Sequence, residues 1–542
     1  MNEVSQEFKQ AVYAPIRKAE AKVSFEILDN EAYEDNTSAV SSEAEISRTA
    51  QLTNKERSMS HKYATFERDY FKLDGSFRIP PRPDEGDNEL GWWSGELCGA
   101  DGVFAVPQTV EFTFVEEHNS MGLTIHFDDR TREYAADFDI DVFRLNGTPV
   151  TKTTVTGNTK TTYVWVQGLD NYGRIVITIK RWAKPFRRAR IAEVDFGVIQ
   201  VYEGDKLIKV NLIEQMNVVG DTLPANEIKF TIDNSSREFN ILNPDGFYRF
   251  LKDRQEVDLS IGVEIAEDEF EFIDIKKYYL TDWQSDEGAL TTTFTARNIL
   301  ELLEQKEYLP NAVETLYDLA EDVLMNAGVE HYVIDEGLRD IPTTGFPEKI
   351  TSRKALQCIG IAGKAAVYQD RAGITTIKRF EILDESTSYI HFAGPHMFSG
   401  MVTPMVDPGW DMKNITFDNV YKEPQIKLDK LVKTLVMTVY IDGEKVEHAF
   451  ENEGVKEGST LKCDNPLIQS VEHAEEIAHW IISESNLRAL YSINWRQNPA
   501  LECGDIVLVE DSFGMKKQSR ITKQEYEFTG YLRGKTETKG GV

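Results

Sequence analysis

The chain has 542 residues, 41% of them hydrophobic and 11% aromatic, which is too long for one core and too apolar for a disordered polymer. By the usual domain size it should divide into roughly three to five domains. Its formal net charge is -31, from 60 Lys plus Arg against 91 Asp plus Glu, which excludes a surface built to neutralise nucleic-acid phosphates.

The four cysteines, Cys98, Cys358, Cys463 and Cys503, form no CxxC pair, so zinc-ribbon and thioredoxin motifs are excluded. The first residues, MNEVSQEFKQ, lack a basic region and an apolar core, and no run reaches the length of a membrane span. Synthesis and folding in a cytoplasm are expected.

In chain order, residues 21–27 (AKVSFEI) alternate Val23, Phe25 and Ile27 and read as the first strand. Residues 29–60 are polar and read as a long excursion. From Lys62, strands recur every eight to twelve residues or so, the pattern of a β-sandwich. Val110, Phe112 and Phe114 alternate, then Leu123, Ile125 and Phe127, then Phe138, Ile140 and Val142 before an Asn146-Gly147 turn. Tyr163, Trp165, Ile175, Ile177 and Ile179 supply further inward faces.

Residues 231–310 read as a meander of antiparallel strands with turns at 243–246 and 286–288, and then a helix over 297–304. Leu316, Leu319, Ala320, Val323 and Leu324 stand at helical spacing before Gly328. A second helix is expected over 352–366, capped by Thr351, and then a hairpin turning at 370–373. Strands return from residue 412, with a turn at 442–443, and a helix is expected over 471–485.

Several stretches carry a resemblance. IDNSSREFNILNP, YRFLKDRQEV, KYYLTDW and FTARNILELL, followed by TLYDLA, SRKALQ, YQDRAGITTI and NPALECGDIV, resemble the hub protein at the tail tip of phages and prophages of Gram-positive hosts. KYATFE, LDGS, GWWS, MGLTIHFDD and RIAEVDFG resemble a discoidin-like carbohydrate-binding module inserted in the first barrel of such hubs. The likeness covers nearly the whole chain, and its specificity lies in the order of the motifs.

The resemblance implies a mainly β, multidomain chain with an α/β part. Residues 1–62 and 196–302 would form a first hub β-barrel, 63–195 an inserted β-sandwich, 303–398 a small α/β domain, and 399–542 a second hub β-barrel with its helix. It also implies a homotrimer closing the tail tube at the virion tail tip or baseplate. Its partners would be the tail tube, distal tail proteins and the tape measure protein, with DNA passing through unbound.

Aromatic residues give a binding expectation. Rings stack on the CH faces of sugars, so Trp92, Trp93, Tyr134 and Trp165 are candidates for a cell-wall glycan. Asp137, Asp139 and Asp141 share one strand face. They offer a calcium site, a glycosidase acid pair or, as the favoured reading, a polar outer face.

His473, Glu476 and His479 form HxxExxH, which lacks zincin spacing, so a solvated helix face is expected. No nucleophile motif or phosphate loop is present, so no catalytic residue and no cofactor are assigned. The alternatives are a cell-wall polysaccharide-degrading tail enzyme, which needs a catalytic carboxylate pair, and a free carbohydrate-binding protein, which needs a leader.

Overall fold

The computed structural model describes residues 1–82, 88–220, 222–240, 243, 250–251, 254–285, 290–383, 413–441, 444–510 and 516–541. The fold is mainly β, and the longest helices among the described residues are Leu316–Asn326, Ser352–Gly363 and Val471–Asn486. Two compact units divide the chain. One comprises Phe25–Val201 with Glu238–Gln255, and the other Met1–Ser24, Tyr202–Arg237 and Glu256–Val542.

The first unit is a sandwich. Its strands are the end of β1 (Ala19–Leu28), β2 (Asn36–Val40), β3 (Trp92–Leu97), β4 (Val103–His126), β5 (Ala135–Phe143), β6 (Pro149–Val155), β7 (Thr162–Trp182), β8 (Arg188–Ile191), β9 (Glu193–Asp195) and β10 (Gly197–Tyr202). One sheet runs β2-β4-β7-β5-β6 with β9 also on β4, and β3 pairs with β8 in a second. Their inner faces share one core. Val110, Phe112, Leu123, Ile125, Phe138, Ile140, Ile175 and Ile177 from the large sheet meet Trp92, Ala189 and Ile191 from the small one, all fully buried. The two-residue alternation of the sequence is the alternation of faces across these strands.

Residues 29–60, expected as a long excursion, belong to this unit. After a short helix at Asn30–Asp35, β2 lies antiparallel on β4, with Asn36 opposite Phe114 and Val40 opposite Val110. A polar edge strand is held by backbone hydrogen bonds, so it needs no apolar run to announce it. The expected boundary at 62/63 therefore falls inside a unit that begins at Phe25.

The two ends of the sandwich unit lie side by side. Asp29 N donates to Phe196 O at 2.9 Å. Gly197, with φ +151°, has room only for hydrogen, because a Cβ there would sit 2.2 Å from Ile27 O.

A buried charge cluster closes this junction. Arg57 reaches both oxygens of Glu26 and lies 2.9 Å from Asp195, which also accepts from Tyr33 Oη at 2.7 Å and faces His126 Nε2 at 2.9 Å. Burial works against the Asp195 charge, but His126 and Arg57 hold its carboxyl at about 2. Burial, and then the Asp195 charge, push the neighbouring Glu193 up to about 10.

Glu193 thus keeps its proton in the folded chain where the unfolded chain, at its ordinary 4.5, has released it. The stability this gives is whole below about pH 4.5 and is lost as pH rises towards about 10, at up to about 1.4 kcal/mol per pH unit. Glu193→Gln is expected to flatten that slope in thermal unfolding measured across the window. A variant with the wild-type slope would contradict the assignment.

The second unit contains β11 (Leu207–Gln215), β12 (Glu227–Asp233), β13 (Glu256–Ala266), β14 (Glu269–Ser285) and β15 (Thr291–Asn298), in the order β13-β14-β15-β12-β11 with β1 beside β13. Phe230 stands opposite Phe294 in the β12–β15 pair, their rings stacked at 5.0 Å. The sheet does not stop at β11. This strand pairs antiparallel with Lys516–Phe528, Val210 opposite Phe528 through Gln215 opposite Lys523. The order then continues through Leu532–Gly540, Ala489–Trp495 and Gln425–Leu428. The two strand groups that the sequence places in 196–302 and 399–542 are therefore joined edge to edge in one sheet.

Between them lies the α/β part. Thr315 and Thr351 cap the helices Leu316–Asn326 and Ser352–Gly363 by accepting from Asp318 N and Lys354 N. The hairpin of Ala366–Gln369 and Thr375–Lys378 turns at Gly373, φ +84°, and Tyr332–Ile334 runs parallel to its second strand. Expected turns at 243–246, 286–288 and 442–443, and the 398/399 boundary, fall wholly or partly outside the described residues.

Candidate binding loop on the sandwich unit

Residues 60–81 form a loop that is anchored from below and exposes large apolar side chains on top. Its two limbs meet where Ala64 N donates to Arg78 O and Arg78 N to Lys62 O, both at 2.8 Å. Tyr63 and Tyr70 turn inward with Met59, Leu90 and Trp93 into a small core of their own. Tyr70 meets Phe77 edge-on at 5.4 Å.

The anchor is Arg190, which has no exposed surface. Its Nη2 donates to both oxygens of Glu67 at 2.8 and 2.6 Å, and its Nη1 to Asp128 at 3.1 Å and Glu133 at 3.2 Å. The guanidinium lies between two rings, 4.4 Å from the Tyr70 centroid and 4.2 Å from that of Trp93. Burial alone would lower its pKa, but Tyr70, Glu67, Glu133 and Asp128 hold it above the ordinary arginine range.

Arg187 adds hydrogen bonds to Glu133 and to the carbonyls of Arg68 and Asp69, and Glu67 also accepts from Arg188 N at 2.7 Å. The basic run at 184–190 is thus largely structural. Both Arg187 and Arg190 are buried beneath the loop rather than displayed as a patch.

What the anchor leaves outside includes four large apolar side chains set among charged ones, Arg68, Asp69, Lys72, Asp74 and Arg78. Phe66 is fully exposed, Leu73 is 97% and Ile79 87% exposed, and Phe71 is also exposed. Lys62, Lys72 and Arg78 stand among them. Side chains this apolar gain nothing in water, and the loop beneath them is held by several charge-assisted hydrogen bonds. The loop's one buried acid, Glu67, is held by Arg190.

The residues singled out in the sequence are placed differently. Trp92 and Trp93 are both fully buried, so the expected exposed stacking platform does not exist there. Consecutive residues of a strand point to opposite faces. Trp92 enters the main core with its Nε1 on Ser42 O at 3.0 Å, and Trp93 enters the small core with its Nε1 on Leu90 O at 2.8 Å. Tyr134 and Trp165 are half-buried against the sandwich core.

Asp137, Asp139 and Asp141 share a face as expected, but cations of the protein already occupy them. Asp137 binds Arg181 at 2.6 Å, Asp139 binds Lys180 at 2.7 Å, and Lys152 lies 3.4 Å from Asp139 and 2.9 Å from Asp141. Each carboxylate thus meets a cation on a neighbouring strand, the arrangement of a polar outer face. Arg181 holds Asp137 below the usual carboxylate range, with further help from Gly157 N against burial.

Asp29, Glu31 and His118 bring ligand atoms within 4.8 Å of one another. The ring of His118 already faces carboxylates at both nitrogens, Asp29 at 3.3 Å and Asp35 at 2.9 Å. In the other unit, His473 Nε2 lies 2.8 Å from Ala362 O and Glu476 binds Lys364 at 2.7 Å, which leaves HxxExxH a helix face.

Reading the sequence missed Phe66, Leu73 and Ile79. The signal was present in FERDYFKLDGSFRIPP, where apolar residues follow neither a helical nor a strand period and charges are interleaved throughout.

No protein-family model matches the chain, and no curated protein matches it. Among solved structures, it is similar to the tail protein from Neisseria meningitidis, with 10% identity over 62% of this chain and 93% of that one and a TM-score of 0.42. It is similar to the 43 kDa tail protein of prophage MuSo2 from Shewanella oneidensis, with 13% identity over 62% and 95% and a TM-score of 0.40. It is also similar to a family 32 carbohydrate-binding module from C. perfringens in complex with galactose, with 15% identity over 33% and 99% and a TM-score of 0.21.

Proposed function

We propose that this chain is the structural hub of a phage or phage-like tail tip or baseplate, closing the tail tube as a homotrimer and linking it to distal tail proteins and the tape measure protein. The observation that carries this reading is the β11 pairing with Lys516–Phe528, which makes two strand groups of one chain a single continuous sheet. Three such chains offer six strand groups to a tube of sixfold symmetry, and a closed ring covers the edges that open sheets expose. The net charge of -31 suits a ring through which DNA passes without being held.

The sandwich is the host-facing part in this reading, and its loop at 60–81 engages a cell-surface glycan through Phe66 and its apolar neighbours. Tyr134 and Trp165, half-buried on the same unit, are secondary contacts. The chain is not an enzyme in this proposal, since the carboxylates that an acid pair would use are held by lysine and arginine.

The test has two arms. Sedimentation should give a trimeric mass, with threefold symmetry in images of the particle. Phe66→Ser should abolish retention on purified host cell wall while leaving the melting temperature within about 0.5 kcal/mol equivalent of wild type, because the ring is fully exposed. Retention equal to wild type in Phe66→Ser, Tyr134→Ser and Trp165→Ser alike would remove the glycan role.

A further inference from the structure

Among the described residues, two guanidiniums of the second unit have no carboxylate partner. Arg17 donates through Nη1 to Gln497 O at 2.6 Å, and through Nη2 to Arg496 O at 2.5 Å and Leu532 O at 2.9 Å. Arg496 donates in turn to Ala14 O at 2.5 Å. Neither makes an ion pair with a carboxylate among the described residues. Burial, and then the like charge of Arg496, lower the Arg17 pKa to about 10. Two half-buried positive charges held only by carbonyl dipoles are an unusual choice in a chain with 31 more acids than bases.

The surroundings are those of an interface. Ile16 is 88% exposed, and Tyr421 and Tyr531 are exposed too. Both tyrosines belong to the same patch. Tyr531 precedes Leu532, whose carbonyl takes the Arg17 bond, and Tyr421 N donates to Asn494 O two residues before Arg496. Arg533 lies over the Tyr531 ring at 5.5 Å. Exposed tyrosines and arginines with an aliphatic side chain are the composition of binding hot spots.

We infer that Ile16, Arg17, Tyr421, Arg496, Tyr531 and Arg533 form a docking surface for a second copy of this chain. The partner copy supplies carboxylates to Arg17 and Arg496, Arg533 being already paired with Glu527 at 2.7 Å, and apolar side chains to Ile16 and the two tyrosine rings. The charge argument selects this partner. A chain with 91 acidic residues offers carboxylates over its surface, and this positive patch is complementary to them. The inference rests on the homotrimer reading and says where its contacts lie.

The test uses the full chain. Ile16→Asp and Tyr531→Asp alter side chains exposed in the single chain, so their melting temperatures should stay near wild type. Self-association by sedimentation should weaken at least about tenfold in each. Arg17→Glu with Arg496→Glu should abolish association, and rising salt should weaken the wild-type assembly. A wild-type trimer whose Ile16→Asp and Tyr531→Asp variants associate as tightly, and whose association ignores salt, overturns this surface and leaves the trimer standing. A wild-type chain that stays monomeric at every attainable concentration overturns the trimer, and this surface with it.

Discussion

Arg190→Met is expected to destabilise the sandwich unit by about 3–5 kcal/mol, the range for breaking a buried ion pair by deleting one partner. Met roughly preserves volume and apolar contact with Tyr70 and Trp93, so what is lost is charge. Glu67, Asp128 and Glu133, each nearly fully buried, would be left facing one another around an apolar side chain. Glu133 retains Arg187 and Trp182 Nε1, and Asp128 retains Thr131, but Glu67 loses its one cation.

The loop at 60–81 should therefore be the first part to open. Two measurements report it: tryptophan fluorescence, since Trp93 lies against this guanidinium, and proteolytic nicking within the loop, which should precede global unfolding. Adding Glu67→Leu should recover part of the loss, because an apolar replacement of both partners removes the stranded charge. A loss under about 1 kcal/mol, with the loop still resistant to protease, would mean that Arg190 is not the anchor.

The second large effect is expected at Arg371. This residue sits at the tip of the 366–378 hairpin and is buried. It reaches Glu214 through Nε at 2.8 Å and Nη2 at 2.6 Å, and it donates to Pro499 O, to Leu501 O at 2.9 Å and to Tyr526 Oη at 3.0 Å. Glu214 lies on β11 and Tyr526 on its partner strand, directly beside the seam that joins the two strand groups. One side chain from the α/β part thus bonds to both.

Arg371→Met should cost about 3–5 kcal/mol, because it strands Glu214 and takes the donor from the Pro499 carbonyl, while Leu501 O keeps Gln524 and Tyr526. Arg371→Lys should recover little, since an ammonium cannot make the two-pronged contact and reach the carbonyls as well. Hydrogen exchange over 207–215 and 516–528 is the direct measurement, and accelerated exchange in both strands is the expected result. Exchange unchanged in either strand would show that the seam holds without the clasp. In the proposed homotrimer, loss of the seam should also abolish assembly, because the six strand groups would no longer be linked in pairs.

Much of the fold is legible in the sequence because it depends on local repetition. Val110-Phe112-Phe114 and Phe138-Ile140-Val142 name the inward face of their strands without knowledge of their partners, since a strand alternates whatever lies beside it. Thr351 and Gly373 name a helix start and a turn because capping and left-handed backbone act within a few residues. The candidate site was less legible. A tryptophan after a glycine reads as a loop platform, and only the pairing of β3 with β8 shows that Trp92 and Trp93 face two different cores.

The sequence by itself determined that the chain is mainly β, that a strand-rich block lies between residues 62 and 197, and that an α/β segment separates two further strand groups. These are properties of periodicity and composition, which each stretch carries alone. The tertiary structure decided the rest: that residues 29–60 join the sandwich, that Asp137, Asp139 and Asp141 face cations on neighbouring strands, that Arg190 lies inside, and that β11 is sealed to Lys516–Phe528. Each of these depends on partners distant in sequence, some 300 residues away in the case of β11. No local pattern records which of many polar or charged residues a given side chain will meet once the strands have paired.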